Sequence, residues 1–207
     1  TPYMENNNQV NTQSPTPMQP KNSKLRENLR GAWDLIKFAV IALAIVIPVR
    51  MFIAQPFVVN GDSMFPTFHN KEYLIVDEIS YIVRSPARSE VTIFRYPNDP
   101  SRFFIKRIIG MPNETIEIKN GVVKIINKEN PDGFILEEPY LNEKFTTTET
   151  FTTGNDQYFV MGDNRNRSSD SRSWGVLPKK FMIGRAYLRL LPVGNLDYLP
   201  GAITTNK

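Results

Sequence analysis

The sequence predicts a mainly β fold, with antiparallel sheets following a single N-terminal apolar helix. Three observations carry that reading. From residue 57 onward, short runs rich in Val, Ile, Phe and Tyr alternate with turn signals. Asn120-Gly121 stands between two such runs, and that dipeptide suits a type I′ hairpin turn. One uninterrupted apolar run precedes residue 57, and beyond it the only helical signal is a short stretch near Tyr73–Val83.

The chain begins with residues 1–22, rich in Asn, Gln, Thr and Pro and nearly free of large apolar side chains. Such a segment cannot bury enough surface to offset its ordering entropy. Residues 1–32 are therefore read as a disordered, basic-ended tail, with Lys21, Lys24, Arg26 and Arg30 near its end. The run FAVIALAIVIPV, Phe38–Val49, follows. At about 12 residues it falls short of the ~20 that cross a hydrocarbon core. Leu35–Ile36 and Met51–Ala54 extend it to about 20, with Lys37 and Arg50 near the ends, where both can snorkel. Residues 33–56 are read as a transmembrane anchor. A cleaved secretory signal competes, but no Ala-x-Ala-like site closes the run cleanly. A buried core helix competes too, but the run is apolar on every face. Positive charge ahead of the run puts the N-terminus in the cytoplasm and residues 57–207 outside.

The strand-like runs are Phe57–Asn60, Tyr73–Val76, Glu90–Tyr96, Arg102–Ile109, Thr115–Lys119, Val122–Asn127, Gln157–Met161 and Gly184–Leu191. The Thr-rich, acidic stretch Glu137–Thr153 reads as a loop or edge segment.

Composition removes whole classes of function. The 207 residues include no Cys, which excludes a disulfide framework, a thiolate zinc site and a cysteine nucleophile. His69 is the single histidine, so a His-rich metal site is excluded and a Ser-His-Asp triad would have to use that one ring. Lys and Arg number 25 against 21 Asp and Glu, a net charge of +4. They are scattered without an interleaved basic-aromatic stripe, so no nucleic-acid partner is expected. No metal or cofactor is expected either.

Three patches could do chemistry. In Asn60-Gly61-Asp62-Ser63-Met64-Phe65-Pro66-Thr67, Ser63 sits on a turn whose N–H groups could face a reacting carbonyl, although Gly, Asp, Ser and Pro equally serve a plain turn. In Phe103–Gly110, alternation puts Lys106 on one face with Phe104 and Ile108, and Ile105 and Arg107 on the other. A lysine base has to be desolvated, because at an ordinary pKa only about 0.4% of the amine is neutral at pH 8. A strand-edge lysine that snorkels is the plainer alternative. The stretch Gly162–Gly175 packs charge, hydroxyl and amide groups into one polar loop, either a solvated loop or a network able to hold an amine in place.

Taken in order behind an apolar run, GDSMFPT, SEVTIFRYP, FIKRIIGMP and GDNRNRSSDSRSWG make the chain resemble bacterial type I signal peptidase over about residues 35–192. That family is a membrane-bound serine protease with a Ser–Lys dyad. The resemblance implies a catalytic domain of coiled antiparallel sheets with a small β-rich insertion, here about residues 112–156, as in Gram-positive-like short forms. It implies Ser63 as nucleophile and Lys106 as general base. Ser168 matches the residue that hydrogen-bonds the lysine amine, Asp170 and Arg172 match a structural ion pair, and Arg107 follows the lysine. The Ser63 N–H would form the oxyanion hole. Gly61 stands where Gram-negative members supply a second hydroxyl donor.

The implied substrates are preprotein signal peptides with Ala-x-Ala-like cleavage sites, bound as an added strand between about Gln55–Asp62 and Arg102–Lys106. The lipid bilayer is the other implied partner. Phe57, Val58, Phe65 and Phe68 could touch it or pack in the core. His69 has no part in that mechanism. A self-cleaving repressor-type Ser–Lys protein would need a DNA-binding helix-turn-helix, which is missing. An inactive, anchored β-module would differ from the enzyme in whether Ser63 reacts.

Overall fold

The computed structural model describes residues 22–48 and 55–203, with side chains for 31–46 and 56–203. Residue contacts divide the chain into two units, Thr1–Val46 and Ile47–Lys207. The helix α1, Asn22–Pro48, belongs to the first unit up to Val46. This helix starts inside the expected tail of residues 1–32, whose first 21 residues lie outside the described ones. Leu25, Arg26, Glu27, Leu29 and Arg30 are good helix formers, and charge alone was a poor guide to order there. Every described side chain of α1 is exposed. Among the described residues no helix is long and apolar enough to cross a membrane. Residues 49–54 of the expected anchor lie outside the described ones.

In the second unit the alternating apolar runs become strands, all paired antiparallel. They are β1 (Gln55–Val58), β2 (Tyr73–Asp77), β3 (Val91–Tyr96), β4 (Asp99–Gly110), β5 (Thr115–Lys119), β6 (Val122–Ile126), β7 (Phe134–Ile135), β8 (Glu149–Thr152), β9 (Gln157–Met161), β10 (Leu177–Pro178), β11 (Met182–Leu191) and β12 (Asp197–Tyr198). The main sheet runs β1-β2-β11-β3-β4-β9-β10, with β12 on β11, and the second runs β7-β6-β5-β8. The helical signal near Tyr73–Val83 resolves into β2 and then a short α2, Ile79–Val83, whose Ser80 N–H is capped by Asp77. Asn120-Gly121 closes the β5–β6 hairpin with both residues at positive φ. Glu137–Thr153 contributes only β8, on the edge of the second sheet.

The long strand β4 organises the interior. Ile105 packs on a cluster of Val59, Met64, Phe68, Leu74 and Ile93. Phe104 and Ile108 pack with Phe94, Tyr158 and Leu177. Ile109 joins Ile116, Ile125, Phe145 and Phe159, which seats the second sheet on the far ends of β4 and β9. Both faces of β4 are buried from Lys106 to Gly110, so the strand reads as nearly continuous apolar sequence with two cations set into it. Phe68 is fully buried and Phe57 packs on the first core, whereas Val58 and Phe65 are exposed.

Candidate active site

Ser63 lies in the turn between β1 and β2. Gly61 opens that turn at φ +88°, a backbone region that costs an L side chain energy, and its N–H donates to Asn70 Oδ1 at 3.0 Å. The Phe65–Pro66 peptide bond is cis. Met64 and Phe68 anchor the turn in the first core, and the Phe68 N–H closes it on the Met64 carbonyl at 2.9 Å. From the opposite side, the Asn164 N–H donates to the Ser63 carbonyl and the Asn164 amide to the Asp62 carbonyl, each at 3.0 Å.

Lys106 reaches this turn from β4. Its Nζ is 2.7 Å from Ser63 Oγ and 2.8 Å from the Ile105 carbonyl oxygen. The residue is 4% exposed, and the Phe104 ring centroid lies 5.4 Å from the amine. No carboxylate lies within 4 Å of that amine among the described residues. Burial disfavours the ammonium and lowers its pKa to about 8, against a weaker opposing pull from Asp170 and Asp163. At that value a large share of the amine is neutral near pH 8, and a proton can pass directly from Oγ.

The polar loop after β9 frames the pair. Arg107, fully buried on the opposite face of β4 from Lys106, holds Asp163 with two hydrogen bonds of 2.8 and 2.6 Å. Its remaining nitrogen donates to the Ser89 and Gly201 carbonyls at 2.8 and 2.6 Å. The Tyr140 ring lies 3.9 Å from its guanidinium carbon. Asp170 caps a one-turn helix α3, Ser171–Trp174, accepts the Gly162 N–H at 3.0 Å, and is gripped twice by Arg172 at 2.9 and 2.8 Å. Arg172 also donates to the Arg165 carbonyl. Arg165 is buried against Glu138.

Residues 32–191 match the family described as signal peptidase, peptidase S26. The chain belongs to the signal peptidase family. It is 32% identical over 191 residues to probable signal peptidase I-1 of Synechocystis, covering 84% of this chain and 95% of that protein. It is 34% identical to signal peptidase I S of Bacillus subtilis, covering 82% and 96%, and 32% identical to signal peptidase I of Leptolyngbya laminosa, covering 90% and 94%. A crystal structure of a signal peptidase I from Enterococcus faecalis matches at 31% identity with a TM-score of 0.43, covering 49% of this chain and 97% of that one. As a member of this family the chain is a serine peptidase.

The structure brings Ser63 and Lys106 into contact, and Asp170 and Arg172 into a two-point ion pair. It does not join Ser168 to the lysine amine, as the family resemblance implied. The second partner of Nζ is its own strand's Ile105 carbonyl, and Ser168 Oγ is buried with no hydrogen-bond partner. Ser168 instead packs on Gly162. Its Oγ and the Ser63 carbonyl oxygen lie 2.3 and 2.4 Å from the point where a Cβ on residue 162 would stand. His69 Nδ1 lies 3.4 Å from Glu72, and its ring stands perpendicular to that of Phe65 with centroids 5.3 Å apart, the side chain over half exposed.

Sequence reasoning missed Asp163, Gly162 and the Arg165–Glu138 pair. Asp163 and Gly162 were legible as the opening of the polar loop, but no spacing rule says which of its charges meets Arg107. Glu138 lies in the stretch read as a loop, where nothing marks a buried partner.

Proposed function

We propose that the chain removes signal peptides from preproteins with Ser63 as nucleophile and Lys106 as general base. The observation that carries this is a buried amine with no carboxylate beside it, 2.7 Å from a turn hydroxyl. Neutral Lys106 takes the Oγ proton as Oγ bonds to the scissile carbonyl carbon. The resulting ammonium gives that proton to the leaving amine as the peptide C–N bond breaks. A water then loses a proton to Lys106, attacks the ester, and Ser63 leaves with the proton restored. The Ser63 N–H serves the oxyanion, and Gly61 adds no side-chain donor. Ser168 offers an unpartnered hydroxyl close to the Ser63 carbonyl, an acceptor for the ammonium once Oγ has bonded to carbon. Arg107, Asp170 and Arg172 act by positioning.

A cavity of about 500 Å³ lies over Ser63 and Lys106, between Phe57–Asn60 and Arg102–Lys106. β1 is the end of its sheet, and β9 pairs β4 only from Arg107 to Gly110, so two strand edges face this cavity unpaired. That supports strand addition of the residues before the cut, with Ala-like side chains at the first and third positions. We place α1 and residues 33–56 as a single-pass anchor with the N-terminus cytoplasmic, so that residues 57–207 work at the outer face of the membrane. The exposed Leu35, Phe38, Ile41 and Ile45 support a lipid partner for this helix.

The test is cleavage of a signal-sequence-bearing preprotein by the full chain in detergent, beside Ser63→Ala and Lys106→Met, with the new N-terminus sequenced. Cleavage after an Ala-x-Ala-like triplet by wild type alone is expected, each variant losing about 10³-fold or more. Normal turnover by Lys106→Met would overturn the lysine's role.

A further inference from the structure

The cavity over the dyad is lined mostly by apolar residues, and among the described residues its charged lining side chains are Arg102 and Lys106. Arg102 lines it, four residues before Lys106 on β4. Even spacing on a strand puts both side chains on one face, together with Phe104. The Arg102 guanidinium stands over two rings, 5.3 Å from the Phe104 centroid and 5.9 Å from that of Tyr96, and these rings stack on each other at 4.7 Å. No carboxylate lies within 4 Å of it among the described residues. Arg107, Arg165 and Arg172 each hold a carboxylate, whereas Arg95 on the paired strand, like Arg102, has none and donates to the Pro100 carbonyl at 3.2 Å. Asp99, on the same hairpin, accepts the Ser101 hydroxyl at 2.6 Å, and its pKa is lowered by that bond first and more weakly by the Arg102 charge. The two rings hold the guanidinium within cation–π range, and its N–H groups make no hydrogen bond among the described residues, so they can take an anion.

Four residues of strand correspond to roughly 13 Å. A peptide added along the free edge of β4, with its scissile residue level with Lys106, carries its fourth or fifth residue from the cut to Arg102. We infer that Arg102 is a specificity-determining residue that favours an acidic side chain four or five residues before the cleavage site, and disfavours a basic one there. This rests on the strand-addition reading above. A lipid phosphate would satisfy the same guanidinium. The position of Arg102 in the wall of the substrate cavity, level with the peptide, favours the substrate carboxylate.

The experiment uses the full chain in neutral detergent and a peptide series spanning an Ala-x-Ala site. Glu, Gln or Lys is placed in turn at the third to sixth positions before the cut. Wild type is expected to prefer Glu over Lys by about threefold to fivefold in kcat/KM at the fourth or fifth position only, with the ratio shrinking toward one in 0.5 M salt. Arg102→Glu is expected to invert the ratio at that same position, and Arg102→Gln to flatten it. Inversion of a charge preference at one position is not something a merely structural arginine would produce. A flat wild-type series, or a ratio that Arg102→Glu leaves unaltered, overturns the proposal. A parallel arm adds vesicles of anionic phospholipid, and an Arg102-dependent response to them that ignores the peptide's charge also overturns the proposal. Failure of wild type to cut any peptide overturns the peptidase reading itself, whereas cleavage without charge preference removes only the role of Arg102.

Discussion

Lys106 and Arg107 are adjacent on β4 and opposite in their surroundings. Arg107 is fully buried with a bidentate carboxylate, two carbonyls and an aromatic ring around it. Lys106 is nearly as buried, with one hydroxyl and one carbonyl. The first cation is paired and hydrogen-bonded by what surrounds it, and the second is brought toward neutrality by burial without a paired carboxylate. A one-residue step along a pleated strand is enough to separate the two environments, because it moves the side chain to the other face. One strand thus carries both the buried amine and the cation that ties it to the polar loop.

The sharpest way to test that contrast is to replace both cations with Met. Arg107→Met leaves Asp163 buried beside an apolar side chain and is expected to cost about 3–5 kcal/mol of stability. Lys106→Met should have the opposite sign. With the amine's pKa lowered to about 8 in the folded chain from 10.5, the folded state resists protonation. The resulting penalty is fully present below pH 8 and fades as pH rises toward 10.5. Its removal at pH 7 should stabilise the protein by about 3 kcal/mol. Denaturant melts of both variants at pH 7 measure this, and two losses of equal size would end the contrast.

Gly162→Ala attacks the meeting point of the two regions. The new Cβ would stand 2.3 Å from Ser168 Oγ and 2.4 Å from the Ser63 carbonyl oxygen. Ser63 is then displaced from Lys106, and kcat is expected to fall about 10²-fold with KM little changed. The pH profile is gentler. kcat/KM should rise about tenfold per pH unit below pH 8 and level off above it, since the base works as the neutral amine. An acid limb centred two units lower would deny the lysine that role. The smallest effect belongs to His69→Ala, where activity within about twofold of wild type is expected from a side chain that faces Glu72 and Phe65.

Much of this architecture was legible from patterning. The strand runs, the Asn120-Gly121 hairpin and the face shared by Lys106, Phe104 and Ile108 follow from a period of two residues and turn chemistry. The start of α1 was not, because Lys and Arg near residues 24–30 were weighed as charge and not as helix formers. Within the site, Ser63 and Lys106 could be named from motif and order. The partner of Arg107 could not, because a long-range pair such as Arg107 with Asp163 leaves no trace in local spacing. Ser168, named by resemblance as the amine's partner, packs on Gly162 with its hydroxyl unpartnered, and local spacing does not say which way it leans.

The bond from Arg107 to the Gly201 carbonyl spans 94 residues of chain. A ribosome makes the chain in order, so the buried guanidinium waits for residue 201 to emerge before its last acceptor arrives. β3, β9 and Asp163 can hold the strand that carries Lys106 before residue 201 is made, and the Gly201 carbonyl then completes the partners of Arg107. A nascent chain that has delivered Ser63 and Lys106 but not yet residue 201 holds both reactive groups without their finished scaffold. The distances along the chain from a buried cation to its acceptors thus set the order in which its partners arrive.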